Sequence, residues 1–158
     1  MISATKLQHE LHKVLSGQPW YGKPIYTLID EVTFETAYEK PEAAHSIAQI
    51  LLHMLNWTEE VIDRLNGKEA GLPKGGDWPD AGEPDEHKWT QLVSNFKLAN
   101  VDLLQGIADF PADKWEEPVN DQRGDEPVTS YEGLIHGFIQ HQIYHAGQIG
   151  ILNRLIGG

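Results

Sequence analysis

Hydrophobic residues recur at helical spacing in four long stretches of the chain, and polar or turn-forming residues separate them. From Ser3 to Ser16, Leu7, Leu11, Val14 and Leu15 fall on one stripe. That spacing predicts an amphipathic helix, which Gly17 and Pro19 can end. After the aromatic linker "PWYGKP" a short helix is expected over Lys23–Asp30. The second long helix opens at Ser46, where "SIAQ" has the form of a capping box. Ile47, Ile50, Leu51, Met54, Leu55, Val61, Ile62 and Leu65 keep the helical period until Asn66-Gly67. The third helix is expected from Asp85 to Ala108. The fourth begins at a second capping box, "TSYE", with Thr129 as cap, and runs to about Ile156 before Gly157-Gly158.

Two long loops interrupt this pattern, a Gly- and Pro-rich one over 67–84 and another over 110–128. No segment alternates with period two between turn signals, so no sheet is expected. Four long helices in one stretch of 158 residues predict an all-α fold, a four-helix bundle forming a single domain over 1–158. Loops this long are uncommon unless they are functional or cross the bundle, which places an overhand connection between helices two and three.

Composition narrows the partners more than the fold. A formal net charge of −12 repels phosphate backbones and anionic lipid heads, so neither nucleic acid nor membrane is an expected partner. No apolar run reaches membrane-spanning length, and "MISATKLQHELHK" lacks a signal-peptide pattern. The chain contains no cysteine. It therefore offers no disulfide, thiolate ligand or cysteine nucleophile, and it fits a reducing cytoplasm.

Candidate chemistry lies in "HQIYHAGQI", residues 141–149. On a helical wheel Leu134, Phe138, His141, His145, Ile149 and Leu152 share one face, so His141 and His145 point the same way, one turn apart, on the core-facing stripe. Two imidazoles at that spacing can converge on one metal ion. His53, in "LLHMLNW" on the second helix, sits at the edge of its apolar stripe and is a third candidate. The plainer alternative stays open, because His-x-x-x-His pairs arise by chance in a chain with eight histidines and a core histidine is commonly just hydrogen-bonded. The zinc-protease signature is excluded, since Gln142 stands where that motif needs glutamate. His9, His12, His45, His87 and His136 read as surface or structural residues, with His12 able to face the bundle interior. Trp20, Tyr21, Trp57 and Trp78 are candidates to line a pocket or to seal the core, and Gln148 to orient a ligand or to pack.

"AHSIAQILLHMLNW" (44–57), followed by "HGFIQHQIYHAGQIGILNRL" (136–155), resembles the DinB-like, or YfiT-like, superfamily of bacterial proteins, and "GQPWYG" (17–22) resembles a segment of one branch. The resemblance implies a four-helix bundle of up-down-down-up topology, often a homodimer. It also implies a divalent metal held by His53, His141 and His145. Some members of that superfamily are thiol S-transferases using low-molecular-weight thiols, some are thiol-dependent isomerases, and many are described as metal-dependent hydrolases. The resemblance thus implies a metal-dependent enzyme on a small-molecule substrate, with a metal that only braces the helices as the competing reading. Imidazole ligands suit several metals; zinc is the expected ion and nickel the second choice. Three protein ligands would leave a position open, as catalytic zinc sites do. An ion there could acidify water or a thiol cosubstrate. No carboxylate lies one residue from a ligand to act as base, so one would have to come from another element.

Overall fold

Each long helix starts on a side-chain cap. In the computed structural model, which describes residues 3–157, Ser3 Oγ accepts from Lys6 N and opens α1, Ala4–Ser16. Ser46 Oγ accepts from Gln49 N at 3.1 Å and opens α4, Ile47–Leu65. Asp85 Oδ1 accepts from Lys88 N at 2.8 Å and opens α5, Glu86–Asp109. Such caps satisfy amides that the first turn leaves free. Two short helices, α2 (Ile25–Asp30) and α3 (Phe34–Tyr38), lie between α1 and α4. The last helix, α6, is Tyr131–Gly157; Gly158, which the sequence pattern also assigns to the chain's helix-ending pair, lies outside the described residues.

The fold is all-helical, with six α-helices, one 3-10 turn at Ala112–Lys114, and no strand among the described residues. α4 packs against α5 and α6, and α1 packs against the same two helices. Their apolar stripes meet in one cluster that includes Leu7, Leu11, Leu51, Met54, Phe96 and Leu103. Removing such side chains from water is the main favourable term for the fold. α2 packs on α1 and α6, and α3 on α4, α5 and α6. Asn66 caps the C-terminus of α4, and Gly67 after it takes φ +93°, a left-handed conformation that glycine adopts at little cost.

Three boundaries differ from the sequence pattern. The short helix starts at Ile25 rather than Lys23, because Pro24 takes the cap position. α3 was not expected, since five residues are too few to show a period. The cap of α6 is Ser130, not Thr129: Ser130 Oγ accepts from Gly133 N at 3.1 Å. Thr129 instead commits its carbonyl to Val119 N, beside an isolated bridge between Pro118 and Ser130. The returning loop then supplies what the helix start lacks, as Tyr131 N donates to Glu117 O and Glu132 N to Trp115 O. The loop over 66–85 is fastened as well. Asn56 Nδ2 donates to Gly76 O, and Gly75 lies so close to the Asn56 side chain that a Cβ would stand 2.7 Å from its Oδ1.

Candidate metal centre

α4 supplies His53 and α6 supplies His141 and His145, and the contact between these two helices brings the three rings together. One ring nitrogen from each lies within 4.8 Å of the others, and His53 Nε2 is 3.0 Å from His141 Nε2. His53 and His145 are buried and His141 is half-buried. The edge position of His53 on its own helix is misleading, for the residue is only 3 % exposed. The loop after α4 folds over it and lays the indole of Trp78 against it, with ring centroids 3.7 Å apart and planes 4° from parallel.

The opposite nitrogens of the three rings each meet an oxygen. His53 Nδ1 lies 2.6 Å from the backbone carbonyl of Asp77 and 3.2 Å from Asp77 Oδ1. His141 Nδ1 lies 3.2 Å from Gln142 Oε1, and His145 Nδ1 lies 2.7 Å from Gln148 Oε1. A carbonyl oxygen only accepts, so each Nδ1 carries the proton and each Nε2 is left with a lone pair. The amide of Gln142 is itself oriented. Thr58 Oγ1 donates to Met54 O, which leaves that hydroxyl to accept from Gln142 Nε2 at 3.0 Å. Two lone pairs aimed at each other across 3.0 Å repel unless a proton or a cation stands between them.

A cation suits this donor set. Two imidazole nitrogens, each about 2.0–2.1 Å from a shared zinc ion, stand about 3.3 Å apart at the tetrahedral angle. A group holding Nδ1–H fixes both the tautomer and the plane of a ligating ring. Electrostatics favour the neutral rings that ligation requires. Burial, then the neighbouring His145 and His53, pushes the pKa of His141 down to about 4, against the opposing pull of Gln142 and Asp77. Burial also lowers the pKa of His145, against its bond to Gln148.

The histidines form one end of a pocket of about 560 Å³. Trp57, Trp78, Leu134 and Phe138 contribute apolar walls, and Arg64 lies in the lining with His53, His141 and His145. Asp77 lines it as well, with Oδ1 accepting from Trp57 Nε1 at 2.8 Å.

The family model for the DinB superfamily matches residues 24–149. The chain belongs to the DinB superfamily. No curated protein and no solved structure matches it significantly. The matched span includes all three histidines of the group able to hold a metal ion.

Of the other residues singled out in the sequence, Trp57 and Trp78 line the histidine pocket, whereas Trp20 is 99 % exposed and Tyr21 lines a separate cavity. Gln148 holds His145. His9, His12, His87 and His136 are exposed and lie outside the pocket lining. His45 is exposed too, but its ring stacks on Trp78 at 3.9 Å and 5°. Since His53 stacks on the same indole, the two imidazoles occupy its opposite faces. His45 is thus a structural residue at the surface, one of the two readings its sequence allowed, but its stacking on Trp78 was not foreseen, nor was any part for Asp77. The one signal for Asp77 was the length of its loop. For His45 there was none, because stacking across a loop leaves no periodic trace.

Proposed function

We propose that this DinB protein is a metal-dependent enzyme acting on a small molecule, with His53, His141 and His145 as the ligands of one divalent ion, zinc first and nickel second. One observation carries the reading: a ring nitrogen from each of three histidines lies within 4.8 Å of the others in the lining of a pocket, while every Nδ1 is held by an oxygen. A metal that only braced the helices would be closed by a fourth protein ligand. The metal-ligating group among the described residues has three members, which favours the catalytic alternative. The up-down-down-up order, a single domain over 1–158 and a cytoplasmic setting belong to the same proposal. They rest on the superfamily resemblance, the single buried cluster and the lack of cysteine.

Bound at these histidines, a divalent ion supplies Lewis acidity that ionises a thiol or a water near neutral pH. The chain's own residues do the positioning. Gln142, Gln148 and the Asp77 carbonyl hold the rings, and Trp57 and Trp78 wall off water. Transfer of a low-molecular-weight thiol to an electrophile is the preferred reaction, because a thiol ionises with less assistance than water and the chain brings no thiol of its own. Asp77 favours a second reading, hydrolysis, since its carboxylate lines the pocket beside His53 and can steer a water.

The test has two parts. Protein purified without an affinity tag should carry about one divalent ion per chain, and His145→Ala should lose most of it. Equal metal content in the wild type and the triple alanine variant rejects the ligand assignment. The metal-loaded protein is then given a chlorinated aromatic or an epoxide with a panel of small thiols. Thiol consumption that requires His53 supports transfer. Ester or amide cleavage without thiol, abolished by Asp77→Asn, establishes hydrolysis instead.

A further inference from the structure

The pocket beside the three histidines also constrains what can fill it. Its apolar walls are Trp57, which packs against His53 and His141, with Val61, Leu134, Phe138 and Val128. Its two charged side chains, Arg64 and Asp77, are each partly engaged, and Thr129 adds one hydroxyl to the lining. Asp77 Oδ1 is held by Trp57 and lies against His53. The Arg64 guanidinium donates through Nε to the buried Glu60 at 2.6 Å and through Nη2 to Gly71 O at 2.8 Å. The remaining polar groups are few beside the apolar walls, so most hydroxyls of a hydroxyl-rich guest would give up water without replacement.

Two glycines of α6, Gly133 and Gly137, complete the lining one helical turn apart. They differ in kind. A Cβ on Gly133 would stand 2.0 Å from Thr129 Oγ1, so that glycine admits the preceding turn. A Cβ on Gly137 would meet nothing within 4 Å. Glycine is a poor helix former in a helix interior, and neither backbone conformation nor close packing calls for one at 137. Its effect is to leave open the space that a side chain would occupy.

We propose that the pocket binds a compact apolar group, an aryl ring or a hydrocarbon of similar bulk, with the polar atom of the same molecule directed to the histidines, and that Gly137 sets the size of that group. The volume of about 560 Å³ lies within the range of small-ligand pockets. Trp57 and Phe138 offer aromatic faces suited to a flat ring. Val128, 79 % exposed at the end of the loop before α6, gains cover when the pocket is filled. This inference rests on the metal-enzyme reading for the orientation of the guest, and on the pocket alone for its apolar character.

The test uses the zinc-loaded full chain with toluene as the apolar probe and glucose as a polar one, followed by ligand-observed NMR. Toluene should bind and glucose should not. Gly137→Leu should weaken toluene binding at least tenfold while leaving the zinc content unchanged. Gly137→Ala should weaken it less, and it keeps the comparison available if the leucine variant misfolds. The triple histidine-to-alanine variant should lose zinc and still bind toluene, which separates the two readings. Failure of toluene to bind the wild type, tighter binding of glucose, or unchanged binding in a folded Gly137 variant overturns the proposal, whatever the zinc content proves to be.

Discussion

The three oxygens that hold the ligand rings are not equivalent, and their differences set an order of metal affinities. Among the described residues Gln148 Oε1 is the acceptor for His145 Nδ1, at 2.7 Å. Asp77 Oδ1, at 3.2 Å, is a second acceptor for His53 Nδ1, whose shorter partner is the Asp77 backbone carbonyl at 2.6 Å. Truncating Gln148 therefore removes the whole support of one ring, whereas truncating Asp77 leaves the better bond in place. Losing such a support typically costs 10–100-fold in metal affinity, or about 1.4–2.8 kcal/mol. Gln148→Ala should fall within that range and Asp77→Ala at or below its lower end. Gln148 is half-buried near the surface of α6, and alanine is a strong helix former, so the helix should tolerate the change. The assay is zinc competition against a chromogenic chelator, with circular dichroism confirming unchanged helix content. An Asp77→Ala loss equal to or larger than the Gln148→Ala loss would refute the reasoning. The Asp77 carboxylate would then act on the site directly, and not through His53 Nδ1.

Acid should weaken both metal binding and the metal-free fold. With the pKa of His141 lowered to about 4 and that of His145 lowered as well, neutral rings persist below the usual imidazole range near 6.5. Above that value neither state takes up protons at these positions. Below it the unfolded chain protonates first, so stability falls as pH drops from about 6.5 toward 4, and zinc affinity falls as these rings protonate; flat stability and affinity across that interval contradict the assignment. Glu60, 1 % exposed and bonded to both Arg64 and Lys68, should destabilise the fold by about 3 kcal/mol in urea denaturation when changed to alanine, because the buried guanidinium loses its carboxylate; a loss below about 1 kcal/mol means that solvent replaces it. Tyr144, Ile151 and Leu155 form an exposed apolar stripe on α6, on which we expect a second copy of the chain to dock, so Ile151→Glu should halve the mass seen by light scattering, and a wild type that is already monomeric excludes the dimer.

Helices came through the sequence where a periodic stripe was long enough to read. α1, α4, α5 and α6 each repeat apolar residues over at least three turns, and their starts carry Ser or Asp, so both pattern and caps point to the same boundaries. The Thr129–Ser130 ambiguity shows the limit of that signal. Two adjacent hydroxyls are equivalent as caps in one dimension, and what decides between them is a contact with Val119, ten residues earlier in the chain. α3 fails for a related reason. Its cap, Thr33, is recognisable only once Ala37 and Thr36 are known to be buried by neighbours far away in sequence.

The site divides along the same line. His141 and His145 are legible because one helix carries both, and the helix alone sets their mutual direction. His53 looks marginal on its own wheel because a wheel measures a helix against a core on one side, while α4 is buried twice: by the other helices, and by the loop that carries Asp77 and Trp78. That second cover is visible in the polar residues α4 buries. His53, Asn56 and Trp57 each bond to the 76–77 stretch of the loop, two of them to its backbone carbonyls. A loop rich in glycine and proline has few regular backbone hydrogen bonds of its own, so its buried carbonyls need side-chain donors. His53 and Asn56 supply them from one face of α4, and Trp57 holds the Asp77 carboxylate beside them. The feature that weakened the case for His53 in the sequence, its place at the edge of the apolar stripe, is therefore the one that places its ring. His53 Nδ1 is spent on the loop, and Nε2 is what remains to face α6.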